Sequence, residues 1–183
     1  FIVGVFVMRS AGCVINDLSD SEIDKHVERT KGRPLASGEL TKKEAFIFLL
    51  FFLAIALSLA VSLGRDVMPW SLGGFALTVI YPFCKRYISS PQIILGLAFS
   101  WSIPMAYVAC GSEFDLAMFL LWIGVLIWIV VYDTFYALVD IDDDLRTGVF
   151  STAILFGGKV SMITSALQIL SLIHISEPTR RTP

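Results

Sequence analysis

The sequence predicts an all-α protein, a bundle of helices that crosses a membrane. Of its 183 residues, 56% are hydrophobic and 16% are charged, whereas soluble domains carry about 25% charged residues. The apolar residues stand in continuous runs, while barrel strands would alternate apolar and polar residues over about ten positions. Because lipid offers the backbone no hydrogen bonds, continuous runs of this kind indicate helices.

Six apolar runs make up the predicted transmembrane bundle. A membrane helix needs roughly 20 mostly apolar residues, and all but the first run come near that length. The first run is shorter, and we interpret it as the later part of a transmembrane helix. In chain order, the runs are residues 1–15, 45–64, 69–84, 91–111, 115–138 and 152–175.

The segments that connect these runs alternate in charge. Segment 16–44 is rich in Lys and Arg, Lys85 and Arg86 follow the third run, and Arg146 follows the fifth. Segment 111–115 contains neither Lys nor Arg, so the positive-inside rule makes the first, third and fifth connections cytoplasmic. With a net charge of −2 and no broad basic surface, we expect a lipid bilayer and no nucleic acid as partner.

The first of two acidic clusters directly follows the first apolar run. Asp17, Asp20 and Asp24 are spaced i, i+3 and i+7, so on a helix their carboxylates lie within about 60° of arc. Asn16 adds a neutral oxygen beside them. Carboxylates on one helix face repel each other and are costly near a membrane. The cluster therefore predicts a bound cation.

The second acidic cluster follows the fifth apolar run. On a continuous helix Asp133, Asp140 and Asp144 lie within about 40° of arc, and Asp142 points to the opposite face. Mg²⁺ suits both clusters because it binds one or two carboxylates together with substrate phosphates. Two such helices facing each other predict Mg²⁺ ions with a diphosphate between them. Basic residues near the clusters predict direct phosphate contacts: Arg29, Lys31, Arg33, Lys85, Arg86 and Arg146.

Other interpretations of the same pattern stay open from the sequence. Either acidic cluster would also suit a solvated helix end, and Lys85 and Arg86 would also serve as topology determinants. A cation transporter with acidic mouths is a second functional class, although it favours carboxylates deep within spans. A CDP-alcohol phosphotransferase would carry a DGxxAR pattern, which the sequence lacks.

Both clusters, with their surroundings, resemble the UbiA superfamily of intramembrane aromatic prenyltransferases. The family's NDxxDxxxD motif continues here into RPLASG at residues 33–38. Its second motif, YxxxDxxxD, continues here into STAILFG at residues 151–157, which is similar to the 4-hydroxybenzoate polyprenyltransferases within the family. The matching positions are Asn16, Asp17, Asp20 and Asp24 in the first motif, and Tyr136, Asp140 and Asp144 in the second.

The resemblance implies a Mg²⁺-dependent enzyme of ubiquinone biosynthesis. Such an enzyme transfers a polyprenyl group from prenyl diphosphate to a ring carbon of an aromatic acid, here 4-hydroxybenzoate. Acceptors of the haem o, chlorophyll or menaquinone type are the alternatives within the family. The implied metal ligands are Asp17, Asp20, Asp24, Asp140 and Asp144, of which Asp20, Asp24, Asp140 and Asp144 are the expected catalytic carboxylates. The expected diphosphate contacts are Asn16, Arg29, Arg33, Lys85, Arg86 and Tyr136.

The resemblance also implies nine transmembrane helices, of which about six are present here. We therefore expect residues 1–175 to form a partial UbiA-like domain that is inactive alone, with the pocket for the aromatic carboxylate incomplete. The polar tail 176–183 is interpreted either as a natural terminus or as a non-native addition. The expected location is a bacterial inner membrane, with the mitochondrial inner membrane as the alternative.

Overall fold

The computed structural model describes residues 1–176, which form α-helices, one short 3-10 helix at Gly157–Lys159 and no strand. The predicted all-α class is therefore confirmed. Of the predicted tail, residues 177–183 lie outside the described part. The α-helices are α1 (Ile2–Asp24), α2 (Pro34–Ser37), α3 (Lys42–Leu63), α4 (Val67–Cys84), α5 (Pro91–Ser100), α6 (Ser102–Ala109), α7 (Leu116–Val139), α8 (Ile141–Thr147), α9 (Thr152–Phe156) and α10 (Val160–Ser176).

Within residues 1–176, six helical segments are long and apolar enough to cross a membrane. Helices α1, α3, α4 and α7 each form one segment. The other two segments are Pro91–Ala109, made of α5 and α6, and Thr152–Ser176, made of α9, the 3-10 helix and α10. These six segments confirm the predicted spans, and the chain is an integral membrane protein.

The chain forms two compact units that divide at Met68 and Pro69, near the start of α4. In the first unit, α1 packs against α3 and the short helix α2. The buried residues Val7, Ala11 and Ile15 form one stripe along α1. Because helix positions four apart lie on one face, α1 presents a single face to its neighbours and leaves its other apolar side chains exposed.

In the second unit, α7 packs against both α5 and α10. A β-carbon on Gly96 would lie 3.0 Å from the carbonyl oxygen of Leu126, so α5 approaches the backbone of α7 closely. On another side, Ser171 of α10 donates a hydrogen bond to the carbonyl oxygen of Gly124, at 2.7 Å. Small residues at helix contacts permit such close approach in membrane proteins.

An aromatic cluster joins α4, the junction of α5 and α6, and α7 in the second unit. The Trp101 ring lies against Gly73 and Gly74, and its Nε1 donates to the carbonyl oxygen of Trp70 at 2.7 Å. Trp122 donates to Ser100 Oγ at 3.0 Å. Because both indole N–H groups bond within the unit, Trp101 and Trp122 fill the protein interior rather than anchor it at the membrane surface.

Candidate functional site: two acidic motifs

The first acidic motif lies on the last two turns of α1. Asp20 and Asp24 are both buried and Asp17 is half-buried, while Glu22 on the other face is exposed. The predicted carboxylate stripe is confirmed on this continuous helix. It lies on a different side of α1 from the apolar stripe, because the step from Ile15 to Asp20 turns a helix by about 140°. The buried residues of α1 are apolar up to Ile15 and polar after it.

Arg33 connects two carboxylates of this motif through a single nitrogen. Its Nη1 donates to Asp17 Oδ1 at 2.9 Å and to Asp24 Oδ2 at 3.0 Å. The guanidinium is half-buried, so these charge-assisted hydrogen bonds are less screened by water than those of a surface pair. Two oxygens of the stripe therefore converge on one cationic group, which offsets their mutual repulsion.

The chain between α1 and α2 brings Arg33 back to α1 by a series of turns. Buried Val27 and Thr30 face the unit interior, and the Thr30 hydroxyl donates to the carbonyl oxygen of Asp24 at 3.3 Å. Arg33 itself is extended, with φ −65° and ψ 145°, the conformation favoured before proline. Pro34 then begins α2, and Gly38 ends it at φ 84°, where a side chain would be strained.

The other predicted residues of the first unit lie next to the ion pairs of Arg33 or further from them. Asn16 is half-buried next to Asp17 on α1. Arg29 is exposed in the turn that follows the motif. Lys31 is also exposed, and it forms an ion pair with Glu28 at 2.6 Å. Arg33 thus bonds to the acidic stripe itself, whereas Lys31 pairs with a glutamate outside the stripe.

The second acidic motif does not lie on one continuous helix, so that part of the prediction is wrong. Helix α7 ends at Val139, Asp140 has φ −100° and ψ 4°, and α8 begins at Ile141. The first turn of α8 contains Asp142, Asp143 and Asp144, and carboxylates are favourable at a helix N-terminus. A new helix that starts here is therefore favoured over an extension of α7 with all these charges in its last turns.

The members of the second motif are consequently spread over a helix, a junction and a second helix. Asp133 belongs to α7, Asp140 is the junction residue and Asp144 belongs to α8; all are half-buried. Asp142 is exposed. Tyr136 is also exposed, and its hydroxyl oxygen accepts a hydrogen bond from Tyr132 at 3.2 Å.

The basic pair of the second unit follows the end of α4. Lys85 is half-buried, and its Nζ lies 5.0 Å from the centroid of the Tyr81 ring, a cation–π distance. Its carbonyl oxygen accepts a hydrogen bond from the backbone N–H of Phe150 at 2.8 Å. Arg86 is exposed. Lys85 is therefore joined to the chain that leaves the second acidic motif.

A buried polar network beside the second motif was missed by the sequence reasoning. Thr134 and Thr152 are in hydroxyl contact at 2.6 Å, and Gln92 Oε1 accepts from the backbone N–H of Thr152 at 3.0 Å. A glutamine inside an apolar span is itself a signal, because such groups are costly unless they are hydrogen-bonded. Its partner, however, lies 60 positions away and is invisible to local patterns.

The donor set of the first motif suits Mg²⁺, although the part of the chain that the structure describes contains no group of three or more His, Cys, Asp or Glu that forms a metal cage. Asp17 and Asp24 already direct one oxygen each at a common cation. Mg²⁺ takes one or two carboxylates and completes its shell with waters and substrate phosphates. The predicted ligand residues stay predictions, with Asp17 and Asp24 the best placed of them.

Fold and site define a class of protein: an integral membrane helical bundle with carboxylate motifs at the ends of its spans. Comparison with known families agrees, since the profile described as the UbiA prenyltransferase family matches residues 1–176. The chain belongs to the UbiA prenyltransferase family.

Curated relatives match almost the whole chain. A protein named 4-hydroxybenzoate octaprenyltransferase from Saccharophagus degradans is 49% identical over 176 residues, which are 96% of this chain and 59% of that protein. The protein of the same name from Pseudomonas fluorescens is 48% identical over 172 residues, 94% of this chain and 58% of that protein. The chain therefore spans less than two thirds of the length of these relatives.

Solved structures share the fold. The apo structure of a UbiA homologue from Aeropyrum pernix K1 has a TM-score of 0.84 and 26% identity, over 98% of this chain and 70% of that one. A UbiA homologue from Archaeoglobus fulgidus, solved with GPP and Mg²⁺, has a TM-score of 0.66 and 18% identity, over 98% and 72% of the two chains. At that identity the second likeness shows the fold alone.

Proposed function

We propose that this protein transfers a polyprenyl group from prenyl diphosphate to a ring carbon of 4-hydroxybenzoate, as a step of ubiquinone biosynthesis. The observation that carries the proposal is the convergence of Asp17 and Asp24 on one cationic nitrogen of Arg33. Two carboxylates this close together bind cations, and a diphosphate substrate needs bound cations to balance its own negative charge. The names of the curated relatives support the acceptor, and the GPP and Mg²⁺ bound to the Archaeoglobus homologue support the donor and the metal.

In this proposal the acidic residues hold Mg²⁺, and basic residues contact the diphosphate. Mg²⁺, when bound, neutralises negative charge on the leaving diphosphate. The ligands are Asp17, Asp20, Asp24, Asp140 and Asp144, and the diphosphate contacts are Asn16, Arg29, Arg33, Lys85, Arg86 and Tyr136.

The bond changes of the proposed reaction are simple. The C–O bond of the prenyl diphosphate breaks and leaves its electron pair on the diphosphate. The ring carbon ortho to the phenol then bonds to the allylic carbon, and the ring loses a proton. Apolar spans keep water from the allylic cation, which would otherwise be hydrolysed to the alcohol. Charged side chains fixed near the departing oxygen lower the barrier by stabilising the charge that develops there.

The proposed location is the bacterial inner membrane. The six apolar segments require a bilayer, and the two relatives named above are bacterial. The mitochondrial inner membrane has no comparable support.

The proposal is tested by product formation in a chimera, in which residues 1–176 replace the matching segment of the Saccharophagus relative. The substrates are octaprenyl diphosphate and 4-hydroxybenzoate. We expect a product whose mass is the sum of the two substrate masses minus the mass of the released diphosphoric acid. EDTA is expected to abolish the product and added Mg²⁺ to restore it, since carboxylates and diphosphate repel each other without a cation. Undiminished transfer in EDTA would contradict the metal dependence.

The same assay separates the alternatives within the family. Acceptors of the haem, chlorophyll and menaquinone type are offered in parallel with 4-hydroxybenzoate. Prenylation of one of these acceptors, with 4-hydroxybenzoate unchanged, would replace the proposed acceptor. A cation transporter would give ion flux in vesicles and no prenylated product with any acceptor.

Replacing Arg33 with Gln is expected to tighten the binding of Mn²⁺ to the substrate-free chain by on the order of tenfold. A metal ion and the guanidinium compete for the same oxygens of Asp17 and Asp24. One hydrogen bond to a charged group contributes about 1.5 kcal/mol at the low end of its range, which corresponds to tenfold. Free Mn²⁺ is measured by electron paramagnetic resonance in detergent micelles. The matched control is Lys31→Gln, which removes an exposed cation from the same turn. Weaker or equal Mn²⁺ binding by Arg33→Gln would show that Arg33 does not compete with the metal.

A further inference from the structure

We propose that Gln92, Thr134 and Thr152 are positioning residues for the second acidic motif, because they close the base of the loop that carries it. The role of the motif in prenyl transfer rests on the function proposed above. The closure of the loop does not, since it follows from contacts within the second unit alone.

The two ends of this loop meet in a buried hydroxyl pair, which we call the loop base. Thr134 lies in α7 and Thr152 begins α9, 18 positions later, with 2.6 Å between their hydroxyl oxygens. Thr134 gives its one hydroxyl hydrogen to the carbonyl oxygen of Val130, also at 2.6 Å. Thr152 is therefore the donor within the pair. The whole stretch from Asp140 to Asp144 lies between these two threonines.

Gln92 holds the far end of the loop from a third helix. Its side-chain oxygen accepts from the backbone N–H of Thr152 at 3.0 Å, so α5 bonds to the first residue of α9. Two residues before Thr152, the Phe150 N–H donates to the carbonyl oxygen of Lys85 at 2.8 Å. The loop end is therefore bonded twice to segment 85–92, which also carries the proposed diphosphate contact Lys85.

Burial makes the loop base a persistent connection rather than a surface contact. Thr134 exposes 0% of its surface, Thr152 1% and Gln92 4%. Water does not reach these groups to replace a lost partner, so opening the base leaves buried polar atoms unpaired. We therefore expect the three groups to separate rarely and together.

The loop base fixes both ends of the stretch that carries the acidic residues. Helix α8 has seven residues, and helices that short are marginal without outside support. Asp140 sits at the junction between α7 and α8. A loop is a precise holder of functional groups when its ends are fixed to a rigid scaffold, and the loop base provides that fixation for Asp140 and Asp144.

Amide hydrogen exchange of the metal-free chain in detergent micelles tests the proposal directly. Thr134→Val removes the hydroxyl but keeps the shape, and Thr134→Ser keeps the hydroxyl. The matched control is Thr164→Val, because Thr164 is equally buried and donates to the carbonyl oxygen of Val160 in its own helix, at 2.7 Å. Gln92→Leu opens the base from the other side, and it is the test variant if Thr134→Val does not fold.

We expect Thr134→Val or Gln92→Leu to raise exchange at residues 140–150 by on the order of tenfold. Thr134→Ser should restore exchange to within about twofold of the unaltered chain, and Thr164→Val should leave it there as well. Unchanged exchange at residues 140–150 in both test variants, or an equal rise in Thr164→Val, would overturn the proposal.

The chimera separates this proposal from the proposed function. If the chimera transfers prenyl groups, Thr134→Val is expected to raise the Mg²⁺ concentration for half-maximal transfer by about tenfold, with Thr164→Val unchanged. If the chimera forms no product at all, the proposed function fails, while the exchange measurement still decides whether the loop base positions the motif.

Discussion

The Asp24→Asn variant of the chimera is expected to transfer prenyl groups about 10²–10³-fold more slowly, the loss typical when one essential group is removed from a site where charge develops. Asparagine keeps the size of the side chain and removes its charge. Asp24 is buried, so no water replaces the lost carboxylate. It is also one of the two carboxylates bonded to Arg33, so the variant disturbs both the proposed metal ligand and the charge balance beside it.

Glu22→Gln is the matched control for Asp24→Asn. Glu22 lies two positions earlier on α1, is exposed and pairs with Lys25 at 2.8 Å on the surface. Exposed ion pairs contribute little, so transfer should stay within about twofold of the unaltered chimera. Steady-state rates at saturating Mg²⁺ and prenyl diphosphate are the measurement. Equal rates for Asp24→Asn and Glu22→Gln would contradict the assignment of the first motif.

The Asp140→Asn variant is expected to show a loss of similar size, about 10²–10³-fold. Asp140 is half-buried at the junction of α7 and α8, and Asp142 of the same run is exposed. The arrangement therefore offers Asp142→Asn as a control with the same chemical change two positions away. That control should lower transfer by no more than about threefold, since exposed charges are screened by water and salt.

Mn²⁺ binding adds a second measurement for Asp140. In the presence of geranyl diphosphate, Asp140→Asn should weaken Mn²⁺ binding by about 10–100-fold, the range for altered metal-site groups, and Asp142→Asn should not. If Asp142→Asn instead has the larger effect on both binding and rate, the proposed ligand set, which contains Asp140 and not Asp142, is wrong.

The spans and the first motif could be predicted from the sequence because each depends only on residues that are neighbours along the chain. Apolar runs of sufficient length must be helical in lipid, and the structure confirms all six within the described residues. The first stripe was predictable because α1 continues without a break from its span through Asp24. Arithmetic at 100° per residue is valid only along one uninterrupted helix.

The same arithmetic fails for the second motif, which does not lie on one uninterrupted helix. The change of backbone conformation at Asp140 depends on a balance between extending α7 and starting α8, and periodicity does not report that balance. Arg33 was one of several basic candidates. Its hydrogen bonds to Asp17 and Asp24 depend on the turns of residues 25–33. Gln92 and Thr152 meet only through tertiary packing.

The ion pair of Arg33 with Asp17 and Asp24 has a consequence for how the protein is made. During synthesis, α1 enters the bilayer before any substrate is bound, and unpaired carboxylates close to the hydrocarbon are costly. Arg33 comes from the same polypeptide nine positions after Asp24, so the counter-charge emerges from the ribosome almost together with the acidic residues. We therefore expect newly made protein to fold without a bound divalent ion.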